Sequence, residues 1–411
     1  MRRGLETLVV PFDAGEVTRV SPSEAEPGAA AMTREDVDAI WRSVVAAYET
    51  GLYPALALCV RRRGHVVIDR SIGHLQGNEP GAPRDAYRVV ATPATMFNLF
   101  SASKMVTAML VHLCDQRGLL HLDDPVAHYI PEFGAHGKHR ITIRHVLTHR
   151  AGIPHIPPDL ADPSLLERPS DILDLLCAQK PTWAPGRRLA YHALTGGYVL
   201  AAVIERVTGA PIRTLLKEVR DALGMSGFDY GVPAARMHEV AQNAFTGPPV
   251  VPPLAQVIRR ALSVDFHDAV RISNDPRFLQ AVIPAGNIMA TANEASRFMQ
   301  LLLDGGAPVF EERTIRRAVA ETSYLEVDLT LGAPVRYSMG FMLGARWASV
   351  YGMHTPRTFG HLGFTNVVVY ADPDRELAVA LMTSGKPALS PGLVRWLWIM
   401  QTIARVTARA R

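Results

Sequence analysis

The sequence has few cysteines and no long apolar run. Cys59, Cys114 and Cys177 are far apart, and none belongs to a Cys-x-x-Cys pair, which argues against a disulfide framework and against a zinc site. Each lies among apolar residues, so we expect three buried, reduced thiols. No window is apolar over the roughly 20 residues that a membrane span needs, and the first residues lack the apolar run typical of a signal peptide. These absences predict a cytoplasmic protein, with peripheral contact to lipid left open.

The sequence also lacks clustered charge, internal repeats and a Gly-x-Ser-x-Gly motif. Its 43 basic and 39 acidic residues give a net charge of +4 that is spread along the chain, whereas a nucleic-acid interface needs a basic patch. The missing motif argues against the α/β-hydrolase type of lipase. With 411 residues, 48% of them hydrophobic, the chain is long enough for two domains or for one domain with an insertion. We expect no metal, no cofactor and no nucleic-acid partner.

Strand patterns occur near both chain ends, and helical patterns fill the middle. Residues 55–71 and 367–382 each predict a β-hairpin. Between them, apolar residues at helical spacing predict helices that include 105–113 and 195–208. The stretch 248–284 is rich in proline and irregular apart from one short helical pattern, and a long insert of this kind is a candidate wall or lid of a pocket.

This order of elements predicts an α+β fold. One antiparallel sheet would be built from both chain ends and flanked by helices, with a mostly helical domain inserted between them. Residues 1–31 would form an N-terminal extension, and residues 32–100 and 285–411 the α/β domain. Residues 101–284 would form the mostly helical domain together with the pocket-wall insert.

The first hairpin carries three consecutive arginines, Arg61, Arg62 and Arg63. Such a run can form a basic patch for a ligand, or it can be the solvated tip of a hairpin, where charge protects a sheet edge. We favour the second interpretation because Arg63 and Gly64 form a tight turn between two strand patterns. The arginines are therefore expected to be solvated.

The residues from Phe100 to Lys104, Phe-Ser-Ala-Ser-Lys, carry a serine and a lysine one helical turn apart. An apolar helix follows and ends at Gly118, so Ser101 and Lys104 share one face at the helix N-terminus. Burial and the positive helix end disfavour the ammonium form of a lysine there. A neutral amine can then take the proton of a serine nucleophile. The alternative is that Ser101 is only a helix N-cap.

Two further segments offer the other groups that a serine nucleophile needs. Tyr191 lies between a turn and a helix, where its hydroxyl can enter a cleft, and a neighbouring lysine would favour its phenolate as a base. The alternative is a tyrosine packed beneath its loop. Residues 359–364, Phe-Gly-His-Leu-Gly-Phe, place His361 between glycines, and the N–H groups of Phe364 and Ser101 could form an oxyanion hole. The alternative is a glycine-rich strand entry with a surface histidine.

Together these segments resemble the class C-like branch of the serine β-lactamase and penicillin-binding-protein superfamily, which includes the family VIII carboxylesterases. Residues 101–104 match its Ser-x-x-Lys motif, residues 144–153 its Leu-Thr-His-x-x-Gly segment, and residues 191–195 its tyrosine motif. Residues 359–363 stand where β-lactamases have Lys-Thr-Gly. The resemblance implies an α/β domain and a helical domain with the site between them.

The resemblance also implies roles for individual residues. Ser101 would be the nucleophile, Lys104 its activator and Tyr191 the proton carrier, while the N–H groups of Ser101 and Phe364 would form the oxyanion hole. Two further residues would complete the substrate pocket, His361 and Gly363. We interpret His149, in the Leu-Thr-His-x-x-Gly segment, as structural.

Two departures from the β-lactamase pattern bear on the substrate. The tyrosine motif of β-lactamases ends in asparagine, whose amide can bind a substrate amide, but this sequence has Ala193. The lysine of Lys-Thr-Gly is replaced by His361, which is mostly neutral at pH 7. Both changes weaken recognition of penicillins and D-alanyl peptides, and neither hinders attack on a neutral ester. The sequence therefore predicts a serine carboxylesterase or lipase of this family, acting on a small-molecule ester.

Other functions stay open at this point. The protein could be a β-lactamase or D-alanyl carboxypeptidase, or an acyltransferase that uses an alcohol in place of water, because all share an acyl-enzyme. It could also be a degenerate binding protein that kept the fold, although the intact Ser101, Lys104 and Tyr191 argue against this. The acyl-chain length and the oligomeric state are not predicted.

Overall fold

The computed structural model describes residues 7–8, 10, 13–83, 85–155, 162–252, 254–262, 264–347, 349–388 and 390–407. Its largest sheet is antiparallel and has eight strands. These strands are β1 (Thr18–Val20), β2 (Ala55–Arg62), β3 (His65–Gln76), β4 (Val89–Val90), β11 (Met342–Leu343), β12 (Phe359–Leu362), β13 (Val368–Asp372) and β14 (Leu377–Thr383). Seven follow one another in the order β1-β3-β2-β14-β13-β12-β11, and β4 pairs with β3.

Three smaller sheets connect the segments around the main sheet. One contains β5 (Phe97–Asn98), β6 (Asp229–Tyr230) and β8 (Ile288–Ala290). A second pairs β9 (Glu326–Asp328) with β10 (Ala333–Val335), and a third pairs β7 (Ala244–Phe245) with β15 (Gly385–Lys386).

The described α-helices lie on both faces of the sheet and in the middle of the chain. They are α1 (Arg34–Tyr48), α2 (Ser103–Gln116), α3 (Val126–Tyr129), α4 (Ile143–Leu147), α5 (Pro169–Ala178), α6 (Thr195–Thr208), α7 (Ile212–Ala222), α8 (Leu254–Leu262), α9 (Phe266–Ile272), α10 (Pro276–Gln280), α11 (Ala292–Leu303), α12 (Glu312–Ala318) and α13 (Pro391–Val406). None of the helices in the described ranges has both the length and the apolar character needed to cross a bilayer.

The pairing of β2 with β14 confirms that both chain ends build one antiparallel sheet. Because side chains alternate along a strand, β2 contributes to two cores. Leu56, Leu58 and Val60 pack with α1 and α13, whereas Ala55, Ala57 and Cys59 face the core that contains α2 and α11. The predicted α+β fold class is therefore confirmed, and the two faces of the sheet carry different helix layers.

The prediction for the first arginine run was wrong. β2 is a central strand, not an edge, and Arg61 and Arg62 are buried. Arg61 donates from Nε to Ser296 Oγ at 3.0 Å and from Nη2 to Asn293 Oδ1 at 2.7 Å, and Arg62 donates to the carbonyl of Ala31. Only Arg63, at the turn, is exposed. The partners come from distant segments, which a local pattern cannot reveal.

Three regions that were predicted to be irregular contain more structure than expected or lie partly outside the described residues. In 248–284 the sequence pattern predicts a helix over 254–263, and α8 forms there over Leu254–Leu262, while residue 263 lies outside the described residues. Helices α9 and α10 follow α8. The prolines from Pro154 to Pro169 predict a long loop, and residues 156–161 of it lie outside the described residues. The expected extension 1–31 also includes residues outside the described ones, namely 1–6, 9 and 11–12. The remaining extension contributes β1 to the edge of the sheet. All three cysteines are buried and free, as predicted.

Candidate active site

Ser101 lies in a short 3-10 turn, Phe100–Ala102, which leads directly into α2. Asn98 fixes the start of this turn, because its Oδ1 accepts the N–H of Phe100 at 2.8 Å. Phe100 itself has a φ of +47°, a strained value for a residue with a side chain. The Ser101 side chain caps neither the turn nor α2, so the N-cap interpretation does not apply.

Lys104 extends from the first turn of α2 back to Ser101. Its Nζ lies 3.1 Å from Ser101 Oγ and donates to the carbonyl of Ala285 at 2.9 Å. Burial lowers the pKa of Lys104 to about 7, because an ammonium ion loses its hydration there. A substantial fraction of this amine is therefore uncharged at neutral pH, in contact with the hydroxyl that it would deprotonate.

Tyr191 lies against the same amine, with its ring centroid 4.8 Å from Lys104 Nζ. We expected the neighbouring lysine to favour the phenolate, and this expectation was wrong. Burial raises the pKa of Tyr191 above its usual range, the charge of Asp328 raises it further, and interaction with the Ser101 side chain opposes this only in part. Tyr191 therefore remains a protonated phenol and is suited to donate a proton.

The loop that carries Tyr191 is held by three consecutive backbone hydrogen bonds. The N–H of Ala190 donates to the carbonyl of His149 at 3.1 Å, and the N–H of His192 donates to His149 Nδ1 at 3.2 Å. Between them, the N–H of Tyr191 donates to Asp328 Oδ1 at 3.1 Å. Because Nδ1 of His149 is an acceptor, the neutral imidazole carries its proton on Nε2. His149 thus holds a loop, as expected, and that loop is the one that positions Tyr191.

Asp328 was not predicted from the sequence. Its Oδ1 also accepts the N–H groups of Thr330 and Leu331, which makes an Asx turn. An aspartate followed by Leu-Thr-Leu-Gly is typical of such a turn, but no local signal connects it to Tyr191, 137 positions away.

His361 lies on β12 and is buried, so the interpretation as a surface histidine was wrong. Its Nδ1 lies 2.6 Å from the carbonyl of Leu362, and its Nε2 has no hydrogen-bond partner among the described residues. Burial and the nearby charge of Lys104 lower its pKa to about 3. His361 is therefore neutral at pH 7 and provides no cation to the site.

Gly363 and Phe364 follow β12 and reach the nucleophile turn. A Cβ added to Gly363 would lie 2.5 Å from the carbonyl of Leu99, so only glycine permits this close approach. The ring of Phe364 lies 5.5 Å from that of Phe100 and 4.8 Å from that of Phe266. The structure thus brings Ser101, Lys104, Tyr191, His361, Gly363 and Phe364 to one region.

An apolar pocket of about 140 Å³ opens beside Ser101. Its wall includes residues of the 248–284 stretch, where a pocket wall was expected. The described residues that line it include no charged side chain; they are Phe100, Ser101, Pro163, Leu165, Leu166, Ile172, Ala193, Leu194, Tyr198, Leu262, Val264, Ala269, Ile272, Ser273, Phe278, Ile283, Ala285, Gly286 and Phe364. Within the described ranges, no group of three or more His, Cys, Asp or Glu side chains is arranged to hold a metal ion.

Comparisons with known proteins identify the family and the fold. Residues 41–403 match the family model described as Beta-lactamase. The chain is 28% identical to the esterase/beta-lactamase LipL of Mycobacterium tuberculosis, over 76% of this chain and 75% of LipL. Among solved structures, a penicillin-binding protein homologue from Caulobacter crescentus superposes with a TM-score of 0.76 at 25% identity, over 90% of this chain and 97% of the homologue. A family VIII carboxylesterase gives the same TM-score and coverage at 24% identity, which shows a shared fold.

Proposed function

The chain belongs to the beta-lactamase family, and on that premise we propose that it is a serine hydrolase that cleaves carboxylic esters through an acyl-enzyme on Ser101. The observation that carries this proposal is the contact between the Ser101 hydroxyl and the buried Lys104 amine, which lies beside an apolar pocket. Among the described residues, none that lines this pocket is charged. A nucleophile and its base stand where a neutral acyl group would bind.

In the acylation step, neutral Lys104 takes the proton of Ser101 while Oγ attacks the ester carbonyl carbon. The negative charge that develops on the carbonyl oxygen is stabilised by the N–H groups of Ser101 and Phe364. As the tetrahedral intermediate collapses, the phenol of Tyr191 donates its proton to the leaving alkoxide and regains one from the Lys104 ammonium. The products of this step are an alcohol and an ester of Ser101.

Deacylation repeats these transfers with water in place of the serine hydroxyl. Lys104, neutral again, accepts a proton from water as its oxygen attacks the acyl carbon. Ser101 then leaves as an alkoxide and is protonated by way of Tyr191. The carboxylic acid departs, and its proton is released to solvent. Lys104, Tyr191 and Ser101 end in their starting protonation states.

The surroundings of Ser101 favour esters over lactams and peptides. Penicillins and D-alanyl peptides carry a carboxylate, which needs a cation, and a substrate amide, which needs a hydrogen-bond partner. Here His361 is neutral and Ala193 has no polar group. An apolar cavity of roughly 150 Å³ holds a six-carbon ring such as benzene, so the pocket of about 140 Å³ suits acyl groups of about four to six carbons.

A series of p-nitrophenyl esters of increasing acyl length tests the proposal, with the wild type and Ser101→Ala compared side by side. We expect kcat/KM to be highest near butyrate or hexanoate, and nearly all turnover to be lost in Ser101→Ala. A fluorophosphonate should add to the wild type, seen as a mass increase of the intact protein, and should not add to Ser101→Ala. Full activity in Ser101→Ala would reject the nucleophile assignment.

The same preparation separates the alternative functions. Turnover of a chromogenic cephalosporin that exceeds turnover of every ester would indicate a β-lactamase. Transfer of the acyl group to an added alcohol in preference to water would indicate an acyltransferase. Absence of any fluorophosphonate adduct and of any ester turnover in a folded wild-type protein would indicate a binding protein.

A further inference from the structure

Helix α13 has apolar side chains on two opposite faces. Its inner face, with Trp396, Ile399, Met400 and Ile403, packs in the core shared with α1 and β2. On its outer face, the side chains at three positions with helical spacing are open to solvent, with exposures of 67% for Val394, 41% for Leu397 and 54% for Trp398. Single exposed apolar residues are common, but a stripe of three along a helix marks an interaction surface.

A neighbouring loop enlarges this stripe. The N–H of Met353 donates to Oε1 of Gln401 at 3.0 Å, and Gln401 lies one turn beyond Trp398 on the helix. The Met353 side chain is 42% exposed. We refer to Met353, Val394, Leu397 and Trp398 together as the α13 surface.

An open groove of about 230 Å³ lies between α1 and α13 beside Trp398. Ala39 and Ala46 contribute apolar side chains, and Arg42 and Arg405 also line the groove. Thr402 lines the same groove and is 2% exposed, yet its Oγ1 has no hydrogen-bond partner among the described residues.

The charged residues in the C-terminal part of the chain are all basic. No Asp or Glu follows Glu376, whereas residues 377–411 contain one lysine and four arginines. Two of these arginines, Arg395 and Arg405, are exposed on α13. The carboxylate of Glu35, on α1, pairs with Arg42. Exposed Trp and Leu next to arginines are the features of helices that lie at a membrane surface.

We propose that the α13 surface docks the protein on an anionic lipid bilayer. Val394, Leu397 and Trp398 enter the boundary between headgroups and acyl chains, and Arg395 and Arg405 contact lipid phosphates. A headgroup phosphate occupies the groove that Arg42 and Arg405 line.

A second copy of the chain is the other candidate occupant, and the charges disfavour it. In a two-fold dimer each patch meets its own copy, so a patch with arginines at both ends would place like charges together. An anionic bilayer has the opposite charge and an apolar interior. Because α13 and the α2 layer lie on opposite faces of the main sheet, docking through α13 leaves Ser101 and its pocket open to solvent.

Flotation of the full-length protein with vesicles tests this proposal. One set of vesicles is phosphatidylcholine alone, and the other contains phosphatidylglycerol in addition. We expect binding to the anionic set that weakens as salt is raised. Charge reversal in Arg395→Glu/Arg405→Glu should reduce the partition coefficient about 25-fold or more, since each arginine near such a surface contributes about five-fold. The change Leu397→Ser/Trp398→Ser should reduce it about ten-fold or more, because two side chains can no longer be buried.

The matched control is Tyr324→Ser/Leu325→Ser, which removes two exposed apolar side chains, 84% and 56% exposed, from the turn before β9. This variant should bind vesicles as the wild type does, and circular dichroism melts should show that every variant is folded. Equal binding by all variants, or no binding to anionic vesicles, would overturn the proposal. Sedimentation that shows a dimer dissociated by Leu397→Ser/Trp398→Ser, without vesicle binding, would assign the surface to self-association. Binding of inorganic phosphate without vesicle binding would also overturn the lipid assignment.

Discussion

Two buried lysines, Lys104 and Lys386, have almost the same surroundings. Each Nζ donates to one backbone carbonyl, that of Ala285 at 2.9 Å and that of Thr383 at 2.6 Å. Each lies over an aromatic ring, 4.8 Å and 4.7 Å from the ring centroid. Burial lowers the pKa of both to about 7. The two amines therefore share a carbonyl partner, an aromatic neighbour and a lowered pKa.

They differ in the hydroxyl groups beside them. Lys104 also touches the hydroxyl of Ser101, which lines the apolar pocket, whereas Lys386 lies over Phe100, the residue just before Ser101. A lowered pKa makes an amine able to accept a proton, but only Lys104 has a proton to accept from a group beside the pocket. A perturbed pKa therefore locates a candidate base only when geometry supplies its partner.

Replacing each lysine by methionine should give the largest difference in activity between them. We expect Lys104→Met to lower kcat/KM for p-nitrophenyl butyrate about 10³-fold or more, because the base for both half-reactions is lost. Lys386→Met should stay within about ten-fold of the wild type, because methionine keeps the apolar contact with Phe100. The assay is steady-state hydrolysis, with thermal melts as the folding control. Equal losses in the two variants would contradict the assignment of Lys104 as the base.

Lys104 lies over the ring of Tyr191, and Lys386 lies over the ring of Phe100. Only the first of these two rings carries a hydroxyl. Tyr191→Phe removes this hydroxyl and keeps the ring. We expect kcat to fall about 10²- to 10³-fold, because protonation of the leaving group then depends on solvent. Esters with a better leaving group than p-nitrophenol should lose less, since they need less protonation. An equal loss for good and poor leaving groups would reject the proton-donor role.

His149 accepts hydrogen bonds from the residues on both sides of Tyr191. We expect its replacement to lower activity less than the replacement of Tyr191 does. His149→Ala removes the acceptor for the His192 N–H and should lower kcat about ten- to a hundred-fold with little change in KM, because misplacing a proton donor by a fraction of an ångström slows its transfer. His149→Asn keeps an acceptor oxygen near the same place and should recover part of the activity. Equal losses in both variants would mean that the hydrogen bond to the His192 N–H does not position Tyr191.

The pH dependence of activity should reflect the ionisation of Lys104 alone. Its amine must be neutral to act, and its pKa is about 7, so log kcat/KM should rise with pH up to about pH 7 and level off above it. At pH 6 about a tenth of the amine is neutral. The profile of Lys386→Met should rise at the same pH. A shift of the rise in that variant would mean that the two lysines are coupled.

Local patterns in the sequence were sufficient for most elements of the fold. Residues 195–208 form α6 at the expected positions, and the Thr33–Asp36 and Thr291–Glu294 capping boxes start α1 and α11. Thr33 and Thr291 could be predicted as caps because a cap and its partner lie within one turn. The Ser-x-x-Lys contact is equally local, since both residues belong to one turn of chain.

The features that the sequence did not reveal depend on distant partners or on burial. The buried pairing of Arg61 with Asn293 and Ser296 joins segments more than 200 positions apart, as does the contact of Lys386 with Phe100. The protonated state of Tyr191 follows from its burial, which no residue spacing specifies. The resemblance identified which residues to examine, while the roles proposed for them stay predictions until the variants are measured.

Protein stability should not distinguish the two lysines, and this is the smallest expected effect. Each has a folded pKa of about 7 against a usual value of 10.5. Between these values the unfolded chain binds more protons than the folded protein, so the free energy of unfolding increases with pH. Each lysine should contribute roughly 1 kcal/mol per pH unit above pH 7. Urea titrations from about pH 6 to about pH 8.5 measure this slope.

The upper limit of that pH range keeps the measurement below the pH at which ionisation of the cysteine thiols affects stability. Burial raises the pKa of Cys59 to about 12 and that of Cys114 to about 11, so their thiols lower stability only as pH rises above their usual value of 9.0. Lys104→Met and Lys386→Met should each lower the slope by a similar amount between pH 7 and pH 8.5. If only one variant flattened the slope, the two amines would not be equally desolvated, and the difference in their activity would have an electrostatic cause as well as the contact with Ser101.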